Sequence, residues 1–443
     1  MTVQPFIDRV ERSHPWRWVG RVSKIIGLVV ESVGPAASVG ELCEIHSIDH
    51  NHSVMAEVVG FRDDRTLLMP LGEMSGIAYG DEVVSRGRLM SIGVSEALLG
   101  RVLDGMGRPI DGKGPVVAAE ERPVHGGAPC PMDRPCITEP LPTGVRTIDA
   151  LMTCGKGQRV GIFGGSGVGK SMLLGGIARQ TRATVNVIGL IGERGREVQD
   201  FLQHNLKDAL GHSVVVAATS DQPALVRLKG AFVATTVAEY FRDLGHDVLL
   251  IMDSVTRVAL AMREIGLAIG EPPTTRGYTP SVFAMMPRLL ERAGRNQLGS
   301  ITGLYAVLVE GDDNNEPIAD AVRSILDGHI VLSRKLASRG MYPAIDVHES
   351  ISRVMPDVVT REHMTAAQKF KAVTYTYREA EDMINIGAYK KGSNPDIDYA
   401  IAMRARTDDF RCQGMGDTGD LDRTVQRLIE MMGEPSANLV GAM

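Results

Sequence analysis

The sequence has no hydrophobic run approaching the roughly 18 residues that a membrane-spanning helix needs, and the stretch MTVQPFIDRVERSHPWRW lacks the apolar core of a secretory leader. The expectation is a cytoplasmic chain. Cysteine is scarce. Cys43, Cys130, Cys136, Cys154 and Cys412 are odd in number and show no CxxC pair, so neither a disulfide framework nor a zinc site is indicated. Reduced, mostly buried thiols are expected instead. Aromatic residues make up only 5% of the chain, and the net charge of −6 gives no global electrostatic reason to bind nucleic acid, although a local basic face stays open. What remains is ordinary for a globular protein: 443 residues, 44% hydrophobic and 23% charged. That length suggests roughly two to four domains and at least one large core.

Gly161 to Gln180, GIFGGSGVGKSMLLGGIARQ, organises the rest. Gly164, Gly169, Lys170 and Ser171 fill the pattern G-x-x-x-x-G-K-[ST], in which glycines let backbone N–H groups converge on nucleotide phosphates. Gly165, Ser166, Gly167, Val168 and Met172 complete the cradle. Lys170 is placed to reach the β- and γ-phosphates, Ser171 to offer its hydroxyl to Mg²⁺, and the start of the following helix to face the anion. A glycine-rich chain can match such a pattern by accident. Here Arg159 to Phe163 reads as the strand before it, and Leu173, Leu174, Ile177 and Ala178 recur at helical spacing after it.

Residues 1 to 20 read as a separate N-terminal arm, either an amphipathic element that docks on a partner or a frayed terminus. From Arg21 the runs IIGLVVESVG, GELCEIHSI, SVMAEVVGF, RTLLMPLG and GDEVVSRG predict a small β-barrel or sandwich domain over 21–95. Phe61 and Tyr79 are its only aromatics up to Gly87, too few for stacking single-stranded nucleic acid, so a structural collar is favoured. The next domain, 96–356, opens on LLGRVLDGMGRPIDG and a proline-rich stretch that read as a linker. Strand candidates follow at Val185–Ile191, Val214–Ala218, Val248–Met252 and Leu304–Val309, with Pro223–Leu244 as a crossover helix. This alternation predicts an α/β, RecA-like P-loop domain with a mostly parallel sheet. Residues 357–443 are expected to be helical, from the three- and four-residue spacing of Phe370, Val373, Tyr377, Ala380 and Ile384 and of Leu421, Val425, Leu428 and Met432.

Two further constellations bear on chemistry. Val248 to Asp253 is an apolar strand ending in a carboxylate, and the carboxyl ends of strands are where ligands of open α/β sheets lie, so Asp253 is a metal-side candidate. Gly192-Glu193-Arg194-Gly195-Arg196-Glu197 follows the strand VNVIGLI. Glu193 can orient an attacking water there, and Arg194 can steady phosphate charge. Taken alone, that run reads better as a solvated charge cluster on a loop.

These motifs together, with PLPTGVRTIDALMTCGKGQR and PAIDVHESISR, resemble the rotary-ATPase family that includes the catalytic subunit of ATP synthase. The resemblance runs from about Arg21 onward. Within the family the chain looks most like the protein-export ATPases of type III systems, in the flagellum-specific branch, through runs such as VLVEGDDNNEPIADAVRSILDGHIVLSRKLA and AEDMINIGAYKKGSNPDID.

The resemblance implies ATP and Mg²⁺ as cofactors, Lys170 and Ser171 at the phosphates and metal, Glu193 as catalytic carboxylate, Asp253 on the metal side, and Arg194 and Arg257 as supporting charges. It puts Tyr342 on adenine, with a core tyrosine as the alternative reading, and loosely suggests Tyr389 for the same pocket. Arg353 falls where the family places the arginine finger of a neighbouring subunit's site. One chain with both carboxylate and finger suits a ring of identical subunits, expected to be a homohexamer. The resemblance further implies a stator-like regulatory protein at the arm, a central stalk protein at the loop GEPPTTRGYTP (270–280), and export chaperones and substrates. It also implies peripheral association with a membrane export gate, and no nucleic acid. The alternatives are a virulence-type (injectisome) ATPase, an RNA translocase and a non-catalytic ring subunit.

Overall fold

The computed structural model describes residues 18–48, 52–309, 316–414 and 416–433. The arm's Phe6, Ile7, Val10 and Trp16 lie outside the described residues, as does the stretch 310–315 within one of the export-type runs.

Six antiparallel strands close into a barrel in the order Val19–Ile26, Val29–Val33, Arg65–Pro70, Ser53–Arg62, Glu41–His46, Glu82–Leu89. The run IIGLVVESVG is two strands rather than one, because Gly27, at φ +56°, makes the left-handed turn that folds it into a hairpin. Inward-facing Val22, Val30, Ile45, Ala56, Val58 and Leu68 fill the barrel. Closure removes exposed strand edges.

The central sheet runs Ile345–Ser352, Gly328–Leu332, Arg159–Gly164, Ser300–Leu308, Asp247–Asp253, Val185–Ile191, Ser213–Ala218, Val102–Asp104. Neighbours along it are parallel except for the antiparallel edge Ile345–Ser352. Period-two alternation sorts its side chains: Val248, Leu250 and Met252 face one core, Leu249 and Ile251 the other. Helices Ala224–Asp243, Val255–Ala268, Pro280–Leu290 and Pro317–Ile325 cover the first face, and Lys170–Gln180 lies on the second. The segment read as a linker joins the sheet, since Val102–Asp104 is its parallel edge strand. Three residues are too short for a hydrophobic period, and the loop that follows is shaped by polar bonds. Asp104 accepts from Met106 N and Arg108 N, and Arg101 holds Asp111 through two bonds of 2.7 and 2.8 Å.

The C-terminal helices are Arg361–Asn385, Pro395–Arg411 and Leu421–Gly433, and Phe370, Met403, Phe410 and Leu428 pack them onto the second core. The barrel joins the nucleotide domain through a charged contact. Lys229, buried in the helix Ala224–Asp243, donates to Glu57 Oε1 of the barrel at 2.7 Å and lies 2.6 Å from His125 Nε2. Among the described residues no helix is long and apolar enough to cross a membrane. Cys43 and Cys154 are buried, as expected of most of the thiols, but Cys130 and Cys136 are exposed.

Candidate active site

The phosphate loop leaves the carboxyl end of the strand Arg159–Gly164 and enters the helix Lys170–Gln180. Gly167 and Gly169 take φ +80° and +90°, conformations that side chains other than glycine resist. Ser166, Ser171 and Met172 are exposed at the loop, while Gly164, Gly165 and Val168 are buried beneath it. Lys170 is 8% exposed, and its Nζ sits 3.6 Å from Oδ1 of Asp253, itself 3% exposed. Neither atom has a hydrogen-bond partner. Two buried, oppositely charged groups left short of partners are costly unless a ligand completes them. The strand that leads into the phosphate loop and the strand that ends in Asp253 are separated by Ser300–Leu308, so their carboxyl ends open on one crevice. The oxygen donors Asp253 and Ser171 suit Mg²⁺, which typically takes one or two protein oxygens and completes its shell with phosphate and water. No cluster of three or more His, Cys, Asp or Glu able to hold a metal exists among the described residues.

Glu193 follows the strand next to Asp253's, so it overlooks the same crevice. Arg257, in the first turn of the helix after Asp253, donates from Nε to Glu193 Oε1 at 3.0 Å and from Nη2 to Oε2 at 3.4 Å. This requires Gly192, at φ +71°, because a Cβ there would stand 2.8 Å from Arg257 Cδ. Burial, then a hydrogen bond with Glu197 and the nearby Asp253 carboxylate, push Glu193 up to about 7; Arg257 opposes the shift. The same bond lowers Glu197. Glu197 was given no role from sequence, although its place four residues after Glu193 was a usable signal. Arg194 stays outside this group: its side chain is 79% exposed and pairs with Glu197 at 3.8 Å.

Tyr342 borders a second, mostly apolar cleft on the other side of the loop. An added Cβ at Gly169 would touch the tyrosine ring at 3.4 Å, and Val168, Leu173, Leu332 and Pro343 continue the lining. At 42% exposure Tyr342 is not a core residue. Gln413 and Gly414, from beyond the helix Pro395–Arg411, complete the cleft, and no sequence signal marked them. Tyr389 is elsewhere, its single hydroxyl hydrogen shared between Asn394 O at 2.9 Å and Asp398 Oδ1 at 3.0 Å.

Arg353 lies at the opposite end of the sheet. Its N–H donates to Asp327 O, whose own N–H donates to Arg159 O at the start of the phosphate-loop strand. That strand runs five residue steps to Gly164, roughly 16 Å. The arginine is exposed. The loop 270–280 is largely exposed and is moored to the barrel, where Arg62 Nη2 donates to Ile269 O at 2.6 Å.

Fold and phosphate loop define a P-loop nucleotide-binding protein of barrel, sheet and helical parts. Residues 22–87 match the β-barrel domain of the ATP synthase alpha/beta family, 144–352 its nucleotide-binding domain, and 359–430 the T3SS EscN ATPase C-terminal domain. The chain is 53% identical over 435 residues to the flagellum-specific ATP synthase of Bacillus subtilis (strain 168), covering 98% of this chain and 99% of that protein. It is 49% identical to the type 3 secretion system ATPase of Xanthomonas euvesicatoria, covering 93% of each. The assembled ATPase EscN of the enteropathogenic E. coli type III secretion system superposes with a TM-score of 0.89 at 46% identity, over 93% of this chain and 100% of the chain in that structure. The chain therefore belongs to the ATP synthase alpha/beta family, in its branch of flagellum-specific and type 3 secretion ATPases.

Proposed function

We propose that the chain is a Mg²⁺-dependent ATP hydrolase that energises flagellar type III protein export as a homohexameric ring with its active sites between subunits. The observation that carries the chemistry is the unpartnered pair Lys170 Nζ and Asp253 Oδ1 at the phosphate loop, with Glu193 on the adjoining strand. Lys170 opposes the charge of the β- and γ-phosphates, and the backbone of Gly164 to Gly169 cradles them. Bound with the nucleotide, Mg²⁺ supplies charge neutralisation, with Ser171 and Asp253 as the residues that would hold it. Glu193 orients a water and accepts its proton as the water oxygen bonds to the γ-phosphorus. The bond to the bridging oxygen breaks, releasing ADP and phosphate. Arg257 positions Glu193. Arg194, exposed, supports the phosphates only if it turns inward, and Tyr342 stacks on adenine.

Arg353 is assigned to the site of the neighbouring subunit. Its place at the far end of the sheet supports an action in trans. The ring also draws on the likeness to assembled EscN, and the complex of EscN with its central stalk EscO, at TM-score 0.86, supports a stalk partner at the loop 270–280. By the same reading the N-terminal arm meets a stator-like protein, the helical domain meets chaperones and export substrates, and the cytoplasmic ring docks peripherally at the membrane export gate. An injectisome ATPase would use the same residues. Relatives named flagellum-specific, at 53% and 50% identity, favour the flagellar assignment.

The test is ATP hydrolysis by wild type and Glu193→Gln over a wide protein concentration range, with particle size followed throughout. Specific activity should rise with assembly, and the variant should bind ATP without turning it over. Unchanged hydrolysis by Glu193→Gln would remove its assignment.

A further inference from the structure

The cleft beside Tyr342 is closed by a side chain from the helical domain whose hydrogen-bonding capacity is almost wholly spent on the cleft walls. The backbone N–H of Gln413 donates to Tyr342 O at 2.8 Å. Its Oε1 accepts from Arg146 N at 2.8 Å, and its Nε2 donates to Gly144 O at 2.8 Å and to Asp417 O at 2.9 Å. Both amide hydrogens are thereby used, so the side chain has no donor left for a ligand.

The turn that Gln413 grips is itself rigid. Asp149, fully buried, accepts from Thr143 N at 2.8 Å, Thr143 Oγ1 at 2.7 Å and Gly144 N at 3.0 Å. Gly144 sits at φ +76°, and a Cβ there would come within 2.3 Å of Gln180 Cβ. Val145, the next residue, lines the same cleft as Tyr342. One glutamine therefore ties the backbone of Tyr342 to this turn.

We propose that Gln413 is a positioning residue that sets the width of the nucleotide-base cleft by tying the Tyr342 wall to the turn Thr143–Arg146. The proposal rests on the reading of this cleft as the base site. Stacking depends steeply on wall separation, while the phosphate loop is anchored independently by the strand before it. Gln413 should therefore matter to the base and not to the phosphates.

The experiment measures binding of ATP and of inorganic tripolyphosphate, which has no base, to wild type, Gln413→Ala and Gln413→Met. Methionine keeps the volume and the backbone bond to Tyr342 but removes the side-chain hydrogen bonds that hold the turn. ATP affinity should fall roughly tenfold in both variants, about 1.4 kcal/mol and the order of one net hydrogen bond, with tripolyphosphate affinity unchanged. KM should rise while kcat holds. Unchanged ATP affinity in Gln413→Met overturns the proposal, and so does an equal loss for tripolyphosphate, which would mark general damage to the fold. Failure of wild type itself to bind ATP would instead overturn the nucleotide reading and this proposal with it.

Discussion

Burial, and after it a hydrogen bond with Glu197, hold the Glu193 carboxyl above its ordinary range, and this makes the proposed chemistry sensitive to pH. A carboxyl held at about 7 is protonated over much of the neutral range, and only its ionised form can take a proton from water. The acid limb of kcat/KM, which reports the free enzyme, should therefore fall near pH 7. Glu197→Ala removes a raising influence and should move that limb to lower pH. A pH–rate profile of the two proteins checks this, and an unmoved limb would dissociate Glu197 from the reaction. Stability runs the opposite way with pH. Because the folded-state value lies above the ordinary 4.5, the contribution of Glu193 is complete below 4.5 and is lost as pH rises through about 7. At this scale the sequence was most legible where covalent spacing alone fixes the chemistry, as with Lys170 and Ser171. It was silent on Gln413, a single polar residue between Cys412 and Gly414 whose partners in the opposing turn, Gly144 and Arg146, are more than 260 positions away.

Among elements, long apolar strands were readable because each is buried on both faces, and Val185–Ile191 has the bounds its composition suggests. Val102–Asp104 was hidden by its length, and the polar helix Pro395–Arg411 lacks a strong apolar stripe, though Asn394 caps it and Pro395 opens it. The docking of barrel on sheet was equally invisible, since Glu57 and Lys229 meet across 172 positions. That pair is a test of how the two parts hold together. Lys229→Met leaves Glu57 buried without its cation, which should cost about 3–5 kcal/mol in denaturant unfolding. Adding Glu57→Gln should restore more than half of the loss, because no buried charge is then left alone. A single variant as stable as wild type would show that water reaches this contact freely.

On the scale of the whole molecule, Arg353 and Glu193 cannot serve one site within one chain. The arginine stands at the amino end of the phosphate-loop strand and the carboxylate beyond the carboxyl ends of the sheet, with roughly 16 Å of strand between their levels. If both are required, the active unit contains at least two subunits, and a closed ring gives every site one of each. Glu193→Gln and Arg353→Ala should then each abolish most turnover alone and restore it when mixed. An Arg353→Ala subunit keeps its own carboxylate and receives arginine from a neighbouring Glu193→Gln subunit. With random assembly about one interface in four carries both groups, so a mixture at equal concentrations should recover up to about a quarter of wild-type activity. Recovery should track ring formation on dilution. A mixture as inactive as its components, in rings shown by mass to be mixed, would put Arg353 outside the reaction and leave Glu193 to be completed from its own chain.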